Sequence, residues 1–562
     1  MVVTMLRTHQ APHSPLVPLG ALVALLPLTL AGIPALALAA TTVYRVTSTL
    51  TVNAPLAVAV DTIDHTLYAV NSAGSTVTVF RGGVFVRALS IGADATAVAV
   101  DSTTHTAYVT NAGSSNVTVI RADTVVGTVG VGTAPTSVAI DDTTGTAYVG
   151  NRLSNSVSII RETTPGAFAA TTVPVGTLPV AVAVDTATHT AYVVNTLSTN
   201  VSEIVGNAVV RTVSVNTDPD AIAVDSTTHT AYVVNNTSQN VSVIEGTSIL
   251  TTTVPVGADP RAVAVDPVTH TAYVLNAQST NVTEIRARAV LRTVSVNADP
   301  DSLAVDSATH TAYVVNNTSQ NVSVIEGESA LTQTVAVGSD ARQIVVDPTL
   351  GSAIVADYGK NRLSVISRQT SPTITSGTPP AAIIGEPYSF TITTTGTPSP
   401  TLALTGALPP GLAFAAAAGS GTGTISGTPT SLPVSPVPFT VTASNGVDPV
   451  ASATLTLVVQ PAPAPPTTPP TPPIDPLAPG GGAGTAGAGT AGGGTGTGIG
   501  TGIGIPNRPG VGTGADARHL ASTGSGLASG WSILAAAAAA AILGLAATLS
   551  ARRRIRPLTR RV

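Results

Sequence analysis

Between Ala57 and Asp357 one pattern recurs eight times, most clearly as AIAVDSTTHTAYVVNNTSQNVSVIEG from Ala221 to Gly246. Tandem repetition at a fixed period constrains a chain more than its composition does, because each unit is a supersecondary element that cannot bury its own faces, and copies must stack. The aspartates that close each VAVD-like string set the register. They fall at Asp61, Asp101, Asp141, Asp185, Asp225, Asp266, Asp306 and Asp347, always 40 to 44 residues apart.

Each period holds four runs of four to six residues rich in Val, Thr, Ile and Tyr. The VAVD run is followed by a turn, a Tyr-led run ending in Asn (Tyr192 to Asn195), an NVSVI-type run and a fourth run such as Arg211 to Val215. Such runs separated by turn chemistry predict four antiparallel strands per repeat, and a period of roughly 40 is that of a propeller blade. The first strand is apolar at successive positions, so both of its faces are buried, as in a blade sandwiched between two others. After the eighth set of three strands, Val345 to Ser367, no fourth follows. The missing strand is supplied by Thr47 to Val52 ahead of the first VAVD, so the two ends of the ring meet in one blade and no open edge remains. The expectation is an all-β chain with an eight-bladed β-propeller, seven blades being the alternative.

The strings AYVTN (Ala107 to Asn111), AYVVN (Ala191 to Asn195 and Ala231 to Asn235) and VAVD resemble the YVTN family of surface-layer-type propeller repeats, over residues 44 to 368. The resemblance implies the propeller fold. It leaves activity open, since relatives include lactonases, quinoprotein-type domains and binding proteins.

The ends of the chain point to export. Residues 16 to 39 are apolar and run into ALALAA (Ala35 to Ala40), so residues 1–40 read as a signal peptide cleaved after Ala39, with an uncleaved anchor as the alternative. At the other end LASTG (Leu520, Ala521, Ser522, Thr523, Gly524) precedes an apolar stretch from Trp531 to Leu549 and an arginine-rich tail from Arg552 to Arg561. About 20 apolar residues at about 1.5 Å each span the hydrocarbon core, and the arginines hold the tail inside. Residues 520–562 resemble a Gram-positive cell-wall sorting signal of the LAxTG form. That resemblance implies a sortase as processing enzyme, attack at the Thr523 carbonyl, and peptidoglycan as the covalent partner in the wall of a high-GC bacterium. A permanent single-span anchor has the same topology.

Removing both ends takes away seven arginines and no acid, which leaves 17 basic against 29 acidic residues, a formal charge of −12. This balance, with Lys360 the one lysine, disfavours nucleic acid as a partner. Zero cysteines exclude disulfides and thiolate metal sites.

Residues 372–460 contain short strands with Pro- and Gly-marked turns, and LPPGLAF followed by GTISGTP resembles a bacterial immunoglobulin-like domain. A spacer role leads over weak adhesion. Residues 461–519 turn to Pro, then Gly, Thr and Ala, and read as a disordered stalk reaching on the order of 60 Å in its Pro-rich part and about 35 Å in the rest.

No metalloprotease, nucleophile-elbow or phosphate-loop motif is present, and no catalytic residue, metal or cofactor is assigned. Two recurrences stand out. Histidines four residues after the blade aspartate (His65, His105, His189, His229, His270, His310) are replaced by Gly145 and Gly351 in two blades, which marks a left-handed turn position. Loops entering the innermost strands carry Asp94, Asp218, Asp220, Asp259, Arg261, Asp299, Asp301, Asp340 and Arg342, a candidate ligand rim around the channel mouth, although Asp-Pro is also ordinary turn chemistry. The recurring NVS and NVT strings are strand-entry turns of the repeat. The blades are nearly interchangeable, so the expectation is a wall-attached binding, adhesion or scaffolding module for a surface glycan, peptide or protein. The alternative is an extracellular propeller enzyme of lactonase- or quinoprotein-like type.

Overall fold

The computed structural model describes residues 40–463, apart from 73, 247, 249–250, 328, 330–331 and 434–435. The signal segment, the stalk beyond residue 463, the Leu520–Gly524 motif and the apolar and arginine-rich tail lie outside the described residues. No helix among the described residues is long and apolar enough to cross a membrane.

The first blade consists of Pro55–Val60, Thr66–Asn71, Thr76–Arg81 and Val84–Ser90, paired in sequence order and antiparallel. Six further four-stranded sheets repeat this order, the last ending with Thr332–Ala336. The eighth is built from Ala341–Asp347, Ser352–Asp357 and Arg362–Ile374, and its outer strand is Thr42–Thr51 from the other end of the ring. Innermost strands of successive blades touch in order, and the eighth touches the first, so the ring has eight members. The closing strand starts at Thr42, five residues earlier than the sequence pattern marks, and carries a bulge between Val46 and Ser48.

Burial explains the pattern of the repeat. Every residue of the second strand is buried in each blade, as in Thr230–Asn235, whereas the outer strand Val84–Ser90 is mostly exposed. A strand buried on both faces takes apolar residues through its middle, here between a buried Thr and a buried Asn, and the outer strand has the face for water. Between blades the Tyr of the second strand reaches the next blade: Tyr148 shares a cluster with Val184, Ala191 and Ile204, and Tyr108 meets Phe168 edge-on with ring centroids 6.2 Å apart. Fully burying such a side chain is worth roughly 2–3 kcal/mol, repeated around the ring.

The ring and the second domain share a strand. Thr370 of Arg362–Ile374 pairs with Thr42 on one edge and Thr397 on the other, and Thr373 and Ile374 pair with Thr395 and Thr394. Asn445 Nδ2 donates to the carbonyls of Thr370 and Pro398, both at 2.8 Å, which ties a loop of the second domain to this strand. The second domain is a sandwich. Tyr388–Thr397, Thr422–Gly427 and Leu412–Ala417 form one sheet, and Thr401–Thr405, Val437–Ser444 and Ala451–Leu457 form the other. Ile392, Ile425, Phe439, Val441 and Leu457 fill the space between them.

Candidate functional site

Each blade has two ends, and the repeat places different chemistry at each. At the end where the first strand turns into the second, the blade aspartate is buried and folds the turn with one oxygen: Asp225 Oδ1 accepts from the amides of Thr227 (2.9 Å) and Thr228 (3.3 Å). The other oxygen points sideways. The Nδ1–H of a histidine in the next blade donates to it, because a carboxylate only accepts. The six pairs are His65–Asp347, His105–Asp61, His189–Asp141, His229–Asp185, His270–Asp225 and His310–Asp266, at 2.8–2.9 Å.

These histidines have φ between 52° and 59°, the left-handed turn expected from the Gly145 and Gly351 substitutions. Their second role, clasping one blade to the one before, is not legible from the turn alone. Where Gly145 stands, Asp101 Oδ2 has no hydrogen-bond partner among the described residues. At Gly351 the corresponding Asp306 Oδ2 keeps, among the described residues, only the bond from Thr309 Oγ1 (2.8 Å), a bond that Thr269 Oγ1 makes to Asp266 Oδ2 alongside His310.

Two seams carry extra acids. Asp142 is pushed up to about 6 by burial and by the neighbouring Asp101 and Asp141 charges. In the first blade Asp64 joins Asp61 and His105 in a group whose ligand atoms lie within 4.8 Å of one another. Arg81 sits 3.6 Å from Asp64 and also pairs with Asp123 at 3.1 Å, so a local cation already balances this cluster.

The opposite end holds the candidate rim. Asp94, Asp218, Asp259, Asp299 and Asp340 occupy left-handed turn positions, φ 54° to 61°, immediately before the innermost strands. Equivalent turns use Ala54, Ala134 and Leu178, so this position is set by backbone conformation and tolerates uncharged residues. Asp220, Arg261, Asp301 and Arg342 are different. They are the second residues of innermost strands, where the ladder breaks register as a bulge, over one residue at Asp220, Arg261 and Asp301 and over Arg342 and Gln343 in the eighth blade.

Around the ring this bulge residue runs Leu56, Thr96, Thr136, Val180, Asp220, Arg261, Asp301, Arg342. At this bulge position four adjacent blades are uncharged and the other four alternate in sign, while Asp94 and Arg152 add charge to turns of the first four. Arg261 is held by Asp259 at 2.6 Å and faces Asp301 at 3.7 Å; burial lowers its basicity, and the Asp259, Asp301 and Asp299 carboxylates more than offset this and raise it. Arg342 bonds Asp340 at 2.8 Å and lies over the Tyr358 ring at 5.1 Å. Arg342 Nε and Gln343 Nε2 are buried donors with no hydrogen-bond partner among the described residues. An open hollow of about 570 Å³ over the fifth to seventh blades is lined by Asn236, Gln239, Asp259, Arg261, Gln278 and Asp299. Asn236, Gln239 and Gln278 were not singled out by the sequence, since they occupy the variable turn after the Tyr-led strand. The Leu520–Gly524 motif lies outside the described residues.

Residues 371–460 match the family described as Putative Ig domain. No curated protein matches the chain. Among solved structures, hydrazine synthase of Kuenenia stuttgartiensis is 17% identical with a TM-score of 0.40, covering 56% of this chain and 95% of that one. Virginiamycin B lyase of Staphylococcus aureus is 8% identical with a TM-score of 0.41, covering 58% of this chain and 99% of that one. Dihydro-heme d1 dehydrogenase NirN is 13% identical with a TM-score of 0.44, covering 53% of this chain and 69% of that one. The class defined here is an all-β protein with a propeller and an Ig-like domain.

Proposed function

We propose that this chain is a cell-surface binding protein, attached to peptidoglycan by a sortase acting at Thr523, whose propeller captures a polar peptide at the channel mouth. Its place on the surface rests on the signal-like N-terminus and on the ordered series of LASTG, apolar stretch and arginine tail. The observation that carries the binding reading is the sequence of charges Asp220, Arg261, Asp301, Arg342 on four adjacent blades. Structural turn chemistry does not require it, because the same bulge takes Leu, Thr and Val in the other four. Alternating sign within a concave surface suits a ligand that itself carries both charges, and so favours a peptide over a neutral glycan. The proposal assigns no catalytic residue and no cofactor.

Peptide and glycan arrays probed with the chain released from cells test it. The expected result is capture of peptides bearing both acidic and basic residues, lost in Arg261→Ala. Capture of neutral glycans alone, or capture unchanged by Arg261→Ala, contradicts the assignment. The anchoring half is tested separately: Thr523→Ala is expected to move the protein from the wall fraction to the membrane or medium.

A further inference from the structure

Seven tyrosines, Tyr68, Tyr108, Tyr148, Tyr192, Tyr232, Tyr273 and Tyr313, stand at the same place in seven blades and are each no more than 4% exposed. At the third seam the phenol ring of Tyr148 lies against Val184, Ala191 and Ile204 of the next blade. At the closing seam the corresponding residues are Ile354 of the eighth blade against Val60, Leu67 and Phe80 of the first. The ring is missing there. Leu for Ala and Phe for Ile refill part of its volume, yet a cavity of about 240 Å³ remains.

Leu67, Phe80, Ile354 and Val365 supply apolar walls to this cavity, and His65 and Asp347, bonded at 2.8 Å, supply a polar corner. Gly82 and Gly83 also line it and are exposed, which gives it an entrance. Apolar cavities of roughly 150 Å³ lined by Leu, Ile and Phe stay dry and hold benzene, so this one has room for a substituted ring. The repeat itself states which ring belongs in the space.

We propose that the closing seam is a binding site for a small monocyclic phenol, with the ring in the place of the absent tyrosine side chain and the hydroxyl at the His65–Asp347 corner. An aromatic ring with one polar tip matches a mostly apolar pocket that offers the bonded His65–Asp347 pair, with Ser48 and Ser352 as the other polar side chains of its lining. The site is separate from the channel mouth, and its test does not depend on the peptide reading.

Titration calorimetry of the full chain with p-cresol, the free counterpart of the tyrosine side chain, measures it directly. Saturable binding at one site with a rise in melting temperature is expected. Ile354→Tyr restores the ring and is expected to weaken p-cresol binding by more than about tenfold without lowering the melting temperature. Should that variant fail to fold, Leu67→Phe closes the same space from the first blade and is expected to weaken binding likewise. Absence of saturable binding up to the solubility limit of p-cresol, or undiminished binding in a folded Ile354→Tyr or Leu67→Phe protein, overturns the proposal.

Discussion

On one rim of the propeller six of the eight seams carry the same His–Asp bond at 2.8–2.9 Å, with Gly145 and Gly351 in the two exceptions. On the other rim a single register position runs through Leu, Thr, Thr, Val, Asp, Arg, Asp and Arg from the first blade to the eighth. Both rims are made by the same repeat under the same ring geometry, so the contrast separates what closure needs from what it leaves free. A uniform residue with a buried partner in the next blade holds blades together. A residue that changes sign from blade to blade at one bulge position is available for recognition.

The comparison breaks most visibly at a buried clasp carboxylate. Asp225→Ala removes the one buried acceptor shared by His270 and the Thr227 and Thr228 amides, at a turn whose two threonines are themselves exposed. A loss of about 3 kcal/mol is expected in denaturant unfolding. If the loss is below about 1 kcal/mol, the clasp rim is not what holds the ring.

Asp142 sharpens the same rim from the side of charge. Its folded value of about 6 lies above its ordinary 3.8, so the folded state binds the proton more tightly than the unfolded one. The stability it contributes is present at acid pH and is lost as pH rises from about 4 through about 6. Replacement by serine, the residue that bonds the neighbouring blade at Ser102 and Ser226, is expected to stabilise the protein at pH 7 by up to about 2–3 kcal/mol and to have little effect at pH 4. His105 acts with the same sign: the hydrogen bond to Asp61 raises it against burial, aided by the Asp61, Asp64 and Asp101 charges. Its contribution is complete below 6.5, its ordinary value, and fades as pH climbs through the raised one.

A smaller change separates turn from clasp. His229→Gly keeps the left-handed turn and deletes the bond to Asp185, so it is expected to cost about 1 kcal/mol. His229→Ala adds left-handed strain and is expected to cost about 1 kcal/mol more. Equal costs would mean that the bond carries the effect and the backbone none. On the variable rim Arg261→Ala is expected to alter stability by no more than about 1 kcal/mol, because Arg261 and Asp259 are both partly solvated.

The architecture was open to reading because its determinants are local and repeated. VAVD buried on both faces, turns at fixed offsets and a spare strand ahead of Asp61 leave few ways to close, and the closing strand at Thr42–Thr51 differs from the expected Thr47 to Val52 in its ends and in its bulge. The clasp was hidden by distance: His105 and Asp61 are 44 residues apart and belong to different blades, so only the ring brings them together. One signal was present, since a left-handed turn position accepts Gly, Asn, Asp or His, and the choice of His in six blades exceeds that need. The shared strand Arg362–Ile374 was hidden by Pro372, which ordinarily marks a break but here lies within the strand, beyond its pairing with the ring. The rim charges were visible as residues. Their division into turn aspartates and bulge residues was not, because the one-residue slip after Pro219 or Pro260 appears only in the ladder.

The central claim is that one rim binds and the other holds. Array capture and unfolding midpoint, measured side by side for Arg261→Ala and His229→Gly, test it most directly. Arg261→Ala is expected to abolish peptide capture at an unchanged midpoint, and His229→Gly to lower the midpoint with capture intact. Capture lost in His229→Gly at an unchanged midpoint, with Arg261→Ala binding as the parent does, would contradict it.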